Sequence, residues 1–154
     1  MRREYFTLSV RNVDREEDDP AIPTVEIDFQ GPESDLENRL TGPDGALLAA
    51  ENTDVAFRLN TPIDESTATG VVAVTNRLTG DYILELNVDA VDVFAFIRAA
   101  SRYAERTDDD ARYRVEIDFD GEAFVTYEKS TFLVYNRDGD LLRAESLIPS
   151  GVEL

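Results

Sequence analysis

Apolar and polar residues alternate along much of this chain with the two-residue period of strands that bury one face. "EYFTLSVRN" and "TVEIDF" show it first, separated by "DREEDDPAIP", whose charges and prolines cannot continue a ladder. "DVAFRL" resumes the alternation and "TPIDESTATG" breaks it. "VVAVTNRLTGDYILELN" then reads as two strands around a tight turn at Leu78–Asp81, the clearest hairpin in the chain. The stretch "RYRVEIDFDGEAFVTYEKSTFLVYNRDGDLLRAESLI" predicts three or four more strands, with "NRDGD" a turn between the last two. A helical period interrupts this pattern twice. "ESDLENRL" predicts about two turns, capped by Ser34, with Leu36 and Leu40 on one face. The main helix is predicted from Asp89, as cap with Asp92 three residues on, to about Arg106. Val93, Ile97, Ala100 and Ala104, with Phe94 beside them, form its apolar stripe. The expected fold is a single α+β domain over residues 1–154. Its sheet would be mostly antiparallel, or a partly open barrel, of roughly seven to nine strands with the one main helix (89–106) packed on it.

The motif VEIDF occurs twice, at Val25–Phe29 and Val115–Phe119, and DGxLLxAE recurs after each copy, within Gly42–Glu51 and Asn136–Glu145. The shared order hints at a weak internal duplication of 25–51 in 115–145, but the intervening segments do not match and the main helix has no counterpart in the first half, so chance reuse of strand and turn chemistry is the better account. The alternation places Glu26, Asp28, Glu116 and Asp118 on the solvated face of two strands. Spacing alone does not distinguish them from ordinary surface acids, so no metal and no catalytic role is assigned to them. "NRDGDLLRAE" has part of a calcium-loop spacing around Gly139, but Val134 stands where the first ligand oxygen is required and the flanks read as strands. A turn is the better account.

Composition changes the picture mainly through charge. The 154 residues carry 33 acids against 15 bases, a formal charge of −18, and Lys129 is the only lysine beside 14 arginines. Disordered chains of high charge lack aromatic and β-branched residues, which this one has in quantity, so it should fold. An acidic, lysine-poor surface on a competent core fits a cytoplasm of molar salt, where a Debye length of about 3 Å screens the repulsion. The chain has no Cys and no His, which removes thiolate chemistry, Cys-ligated metals and the commonest general base. No apolar run reaches the length of a membrane span and no signal-peptide core precedes the first strand. The reading is a cytoplasmic protein with no cofactor and no membrane association.

The least expected feature is basic. Arg98, Arg102 and Arg106 recur every four residues along the main helix, and Arg112 and Arg114 follow on the next strand. Like charges at that spacing cost stability unless paired. Either Glu105, Asp108, Asp109 and Asp110 neutralise them, or they bind a phosphate or an acidic partner. Nucleic acid is disfavoured, because a net −18 repels polyanions and molar salt removes most of the counterion-release gain. Lys129 with Tyr127 on one strand face could supply a nucleophile, but Glu122 and Glu128 point to an ion pair. The tail "SLIPSGVEL" leaves Val152 and Leu154 as apolar residues able to add to a neighbouring sheet edge. Two functions stay open: a non-enzymatic interaction or assembly module, binding a protein partner or a second copy, and a small-molecule or phosphate binder, or an enzyme acting on such a ligand, using the Arg face.

From "RREYFTLSVRNV" through "ATGVVAVTNRLTGDYILELN" and "FIRAA" to "TYEKSTFLVYNRDGDLL" and "SLIPSGVEL", nearly the whole chain resembles a family of small proteins of unknown function encoded in halophilic archaea. The resemblance implies a haloarchaeal cytoplasmic protein. It brings no activity, cofactor or site residues.

Overall fold

In the computed structural model, which describes residues 5–13, 21–107 and 110–149, the chain forms eight strands and two α-helices. In order these are β1 (Phe6–Arg11), β2 (Thr24–Phe29), α1 (Glu33–Leu40), β3 (Thr53–Leu59), β4 (Thr69–Asn76), β5 (Tyr82–Asp89), α2 (Ala90–Arg106), β6 (Tyr113–Phe119), β7 (Glu122–Lys129) and β8 (Leu133–Tyr135). They build two four-stranded sheets, ordered β1-β2-β6-β7 and β5-β4-β3-β8. The α+β class, the single domain and the principal helix agree with the sequence reading. The single sheet or partly open barrel does not: neither sheet closes, and each contains one parallel pair, β2 with β6 and β3 with β8. Hairpins dominate the sequence pattern, but parallel neighbours need long crossovers, and those crossovers divide the strands between two sheets.

The two copies of VEIDF are adjacent strands in parallel register. Val25 lies opposite Val115, Glu26 opposite Glu116, Ile27 opposite Ile117, Asp28 opposite Asp118 and Phe29 opposite Phe119. Alternation then sends Val25, Ile27, Val115 and Ile117 into the core, each less than a tenth exposed, and turns the four acids outward. The glycines after the two copies have different jobs. Asp120 and Gly121, at φ 48° and 83°, close the two-residue turn between β6 and β7. Gly31 instead leads into α1, and a Cβ there would meet the Phe29 ring at 2.5 Å.

The core lies between the inner faces of the two sheets, and α2 reaches both. Its Phe96 ring stands edge-on to Tyr113 of the first sheet at 5.6 Å, and its Phe94 ring edge-on to Phe57 of the second at 6.3 Å. Ala90, Val93, Phe96, Ile97, Ala99 and Ala100 are buried, a wider face than the stripe read from sequence. Asp89 sits at the helix N-cap in extended conformation, yet its side chain makes no capping bond; the Ala90 amide donates to the Ala68 carbonyl instead. In α1 the cap position is Pro32 and not Ser34, while Leu36 and Leu40 are buried as expected. Among the described residues no helix is long and apolar enough to cross a membrane.

Candidate functional site

The outer face of the first sheet collects the acids that the sequence left as unrelated pairs. Carboxylate oxygens of Glu26, Glu116 and Asp118 come within 4.8 Å of one another, a spacing that a hard cation such as Ca²⁺ or Mg²⁺ accepts. Arg11 of β1 already pairs there, with Nε 3.1 Å from Glu26 and Nη2 2.7 Å from Glu116. Ser9 donates to Glu26 as well. Asp28 accepts from the Gly121 amide and from Gln30. Asp118 is the member left short: its Oδ1 is shielded from solvent without a hydrogen-bond partner. Desolvation, and then Glu116, Glu26 and Asp28, hold the Asp118 carboxyl above the usual aspartate range against the opposing charge of Arg11.

A folded pKa raised above the unfolded one contributes stability that is fully present below the unfolded value and lost as pH rises through the folded value. At neutral pH the ionised Asp118 therefore opposes folding. Asp118→Asn is expected to raise stability near pH 7 by about 0.5 to 1 kcal/mol, the scale of a like-charge cross-strand pair. The gain should vanish below the unfolded aspartate pKa. Denaturant melts of the two proteins at molar KCl, at neutral and acid pH, check both statements.

The five arginines singled out in the sequence stand on two stretches, three along α2 and two around the start of β6. Arg98 and Arg102 are exposed on α2, and Arg102 donates to the Val13 carbonyl at 3.0 Å; Arg106 lies at the last turn of the same helix. Arg114 is on β6 and pairs with Glu128 at 2.9 Å. It alternates with Tyr113, which contacts α2, so Arg114 faces away from the helix. Arg112 is partly buried just before β6. Asp108, Asp109, Val152 and Leu154 lie outside the described residues.

Lys129 is not in the expected ion pair. It points inward from β7, and its Nζ donates to the carbonyls of Ala50, at 2.7 Å, and Thr53, at 2.6 Å, tying the first sheet to the start of β3 in the second. Strand neighbours face opposite ways, so Glu128 points outward to Arg114, and Glu122 stands at the far end of the strand. Desolvation lowers the Lys129 pKa from the usual lysine range. A compact ammonium fits between two carbonyls where a planar guanidinium does not, which accounts for a lone lysine in an arginine-rich chain. Lys129→Met is expected to lower stability by about 2 kcal/mol by removing two charge-assisted hydrogen bonds that join the sheets, read as a drop in thermal midpoint.

The outer face of the second sheet is built differently. Register places Leu133, Ala56, Ala73 and Glu85 on one rung across all four strands, and Tyr135, Arg58, Val71 and Asn87 on the next. Thr75 and Tyr82 pair on the rung beyond Ala73 and Glu85. The result is a depression of about 550 Å³ with Ala56, Val71 and Ala73 as floor, Tyr82 and Tyr135 on opposite outer strands, and Arg58, Arg137 and Glu85 as its charged lining. Arg58 is steadied by donating to the Arg137 carbonyl at 2.9 Å. A second depression of about 760 Å³ continues from it past Tyr135 and Thr75 toward the Arg77–Asp54 pair. None of the five arginines singled out above lines either one.

A model of one protein family matches residues 1–154, the entire chain. The chain belongs to DUF5793, a family of unknown function. Comparison with curated proteins and with solved structures finds no match. Among the described residues of this DUF5793 protein, the acid cluster is an ion-pair network organised by Arg11, and the second-sheet depression is a concave surface with mixed polar and apolar lining. The sequence reading missed that surface. Its signal was "VVAVT", a strand without a charge on either face in a chain that is 31% charged.

Proposed function

We propose that this protein is a non-enzymatic interaction module of a haloarchaeal, salt-rich cytoplasm, and that it meets a protein partner on the outer face of its second sheet. The observation that carries the reading is the contrast between the two outer faces. The first sheet is finished as a solvated surface should be in an acidic chain, with Glu26, Asp28, Glu116 and Asp118 on its central strands. On the second sheet the outward positions of β4 are Thr69, Val71, Ala73 and Thr75, without a charge, between strands that present Tyr82, Arg58 and Tyr135. Tyr and Arg around a small apolar centre are the residue types that dominate binding energy at protein interfaces. Salt adaptation is supported by the charge of −18 on a folded core.

The test is capture from a native lysate held at molar KCl, using wild-type protein and an Ala73→Arg variant whose melting curve matches it. A defined partner recovered by wild type and lost with Ala73→Arg is the expected result. Equal recovery of that partner by both proteins would reject the second-sheet face.

A further inference from the structure

We infer that the partner presents an acidic, convex segment to the depression on the second sheet, with carboxylates paired to Arg58 and Arg137 and apolar side chains seated on Ala56 and Ala73. This rests on the reading of that face as a docking surface and adds the chemistry of the occupant. Shape argues first. The floor is made of short side chains and the flanking Tyr82 and Tyr135 rise from the outer strands, so two copies packed face to face would leave a gap between opposing alanines. A strand or helix edge that protrudes fills the depression, and a second copy of the same face does not.

Charge argues second. Two of the three charged residues lining the depression are arginines, in a chain with more than two acids for each base. Arg58 donates one of its five N–H groups to the Arg137 carbonyl, and that bond directs its guanidinium toward the turn after β8. A planar fork held in this way favours a carboxylate with two parallel acceptors. In molar salt the long-range repulsion between an acidic segment and this chain is screened within about 3 Å. Contact pairs in a partly desolvated depression survive that screening better than exposed ones. A polyphosphate strand is a poorer fit, because its affinity depends on counterion release, which molar salt suppresses.

The experiment uses the full chain in 2 M KCl and fluorescence anisotropy. The probes are a labelled nonapeptide alternating Leu and Tyr with Asp and Glu, its Asn/Gln counterpart, and an oligothymidine of equal length. The acidic peptide should bind wild type at least tenfold more tightly than the amide counterpart, lose at least tenfold with Arg58→Glu, and lose all measurable binding with Ala73→Glu. Both variants are first shown to melt like wild type. If the two peptides bind equally, Arg58→Glu has no effect and Ala73→Glu still blocks them, acid recognition is overturned while the docking face stands. If Ala73→Glu leaves peptide binding intact, the docking face itself falls. No binding of the acidic peptide, or tighter binding of the oligothymidine, overturns the inference.

Discussion

Gly70→Ala is expected to destabilise the protein by about 3 kcal/mol or more, at the upper end for overpacking a tight site. Gly70 is buried at the start of β4, opposite Leu59. A Cβ there would stand 2.3 Å from the Arg58 carbonyl oxygen and 2.6 Å from the Phe57 ring. The first neighbour is backbone and cannot swing aside, and the second is a fully buried ring in edge contact with Phe94 of α2. Relief requires β3 and β4 to separate, which breaks their ladder and displaces the helix. For a chain of this length 1 kcal/mol moves the thermal midpoint by roughly 2–4 °C, so a fall of about 6–12 °C at molar KCl is the expected reading. Gly45→Ala is the control, since a Cβ at that exposed turn meets nothing within 4 Å; only its left-handed φ of 82° makes alanine costly there.

Period alone made the faces of these elements legible. Val25, Ile27, Val115 and Ile117 point inward and their acidic neighbours outward, as alternation requires, and Val93, Ile97 and Ala100 are the buried stripe of α2. Period does not name a strand's neighbour. That the two VEIDF copies lie side by side depends on the connection through residues 30–114 between them, and nothing local encodes such a pairing. The width of the buried face on α2, with Phe96 and Ala99 included, follows from a helix that touches two sheets, so it became visible only with the second sheet. The candidate surface was hidden for a different reason. Catalytic and metal sites announce themselves by reactive residues, whereas this depression is marked by short uncharged ones, Ala56 and Ala73, that become adjacent only through the register of β3 and β4. Lys129 illustrates a third case. Its rarity was plain in the sequence, but its partners are backbone carbonyls, which carry no sequence signature.

Removing salt is expected to unfold the protein altogether. At about 10 mM salt the Debye length is near 30 Å, comparable to the whole domain, so most of the net charge of −18 repels at once. At 1 M only touching neighbours interact. The aligned pairs Glu26/Glu116 and Asp28/Asp118 concentrate that repulsion on one face, where Arg11 neutralises part of it. A domain of this size is stable by about 5–15 kcal/mol, and the summed repulsion of eighteen excess charges is of that order when unscreened. Circular dichroism melts across a KCl series should show a midpoint rising steeply from dilute buffer to molar salt. The dependence should be blunted by Asp118→Asn and steepened by Arg11→Gln. A midpoint indifferent to salt would reject the salt-adapted reading.

The central claim is that the outer face of the second sheet, and not that of the first, meets the partner. A photo-crosslinking amino acid placed at Ala73, in the middle of the depression, and in a separate protein at Thr126, on the outer face of the first sheet opposite Glu116, tests it in the source cells at their own salt. The account expects a discrete crosslinked species from position 73 and only a diffuse background from position 126. A discrete species from position 126, with none from position 73, would contradict it.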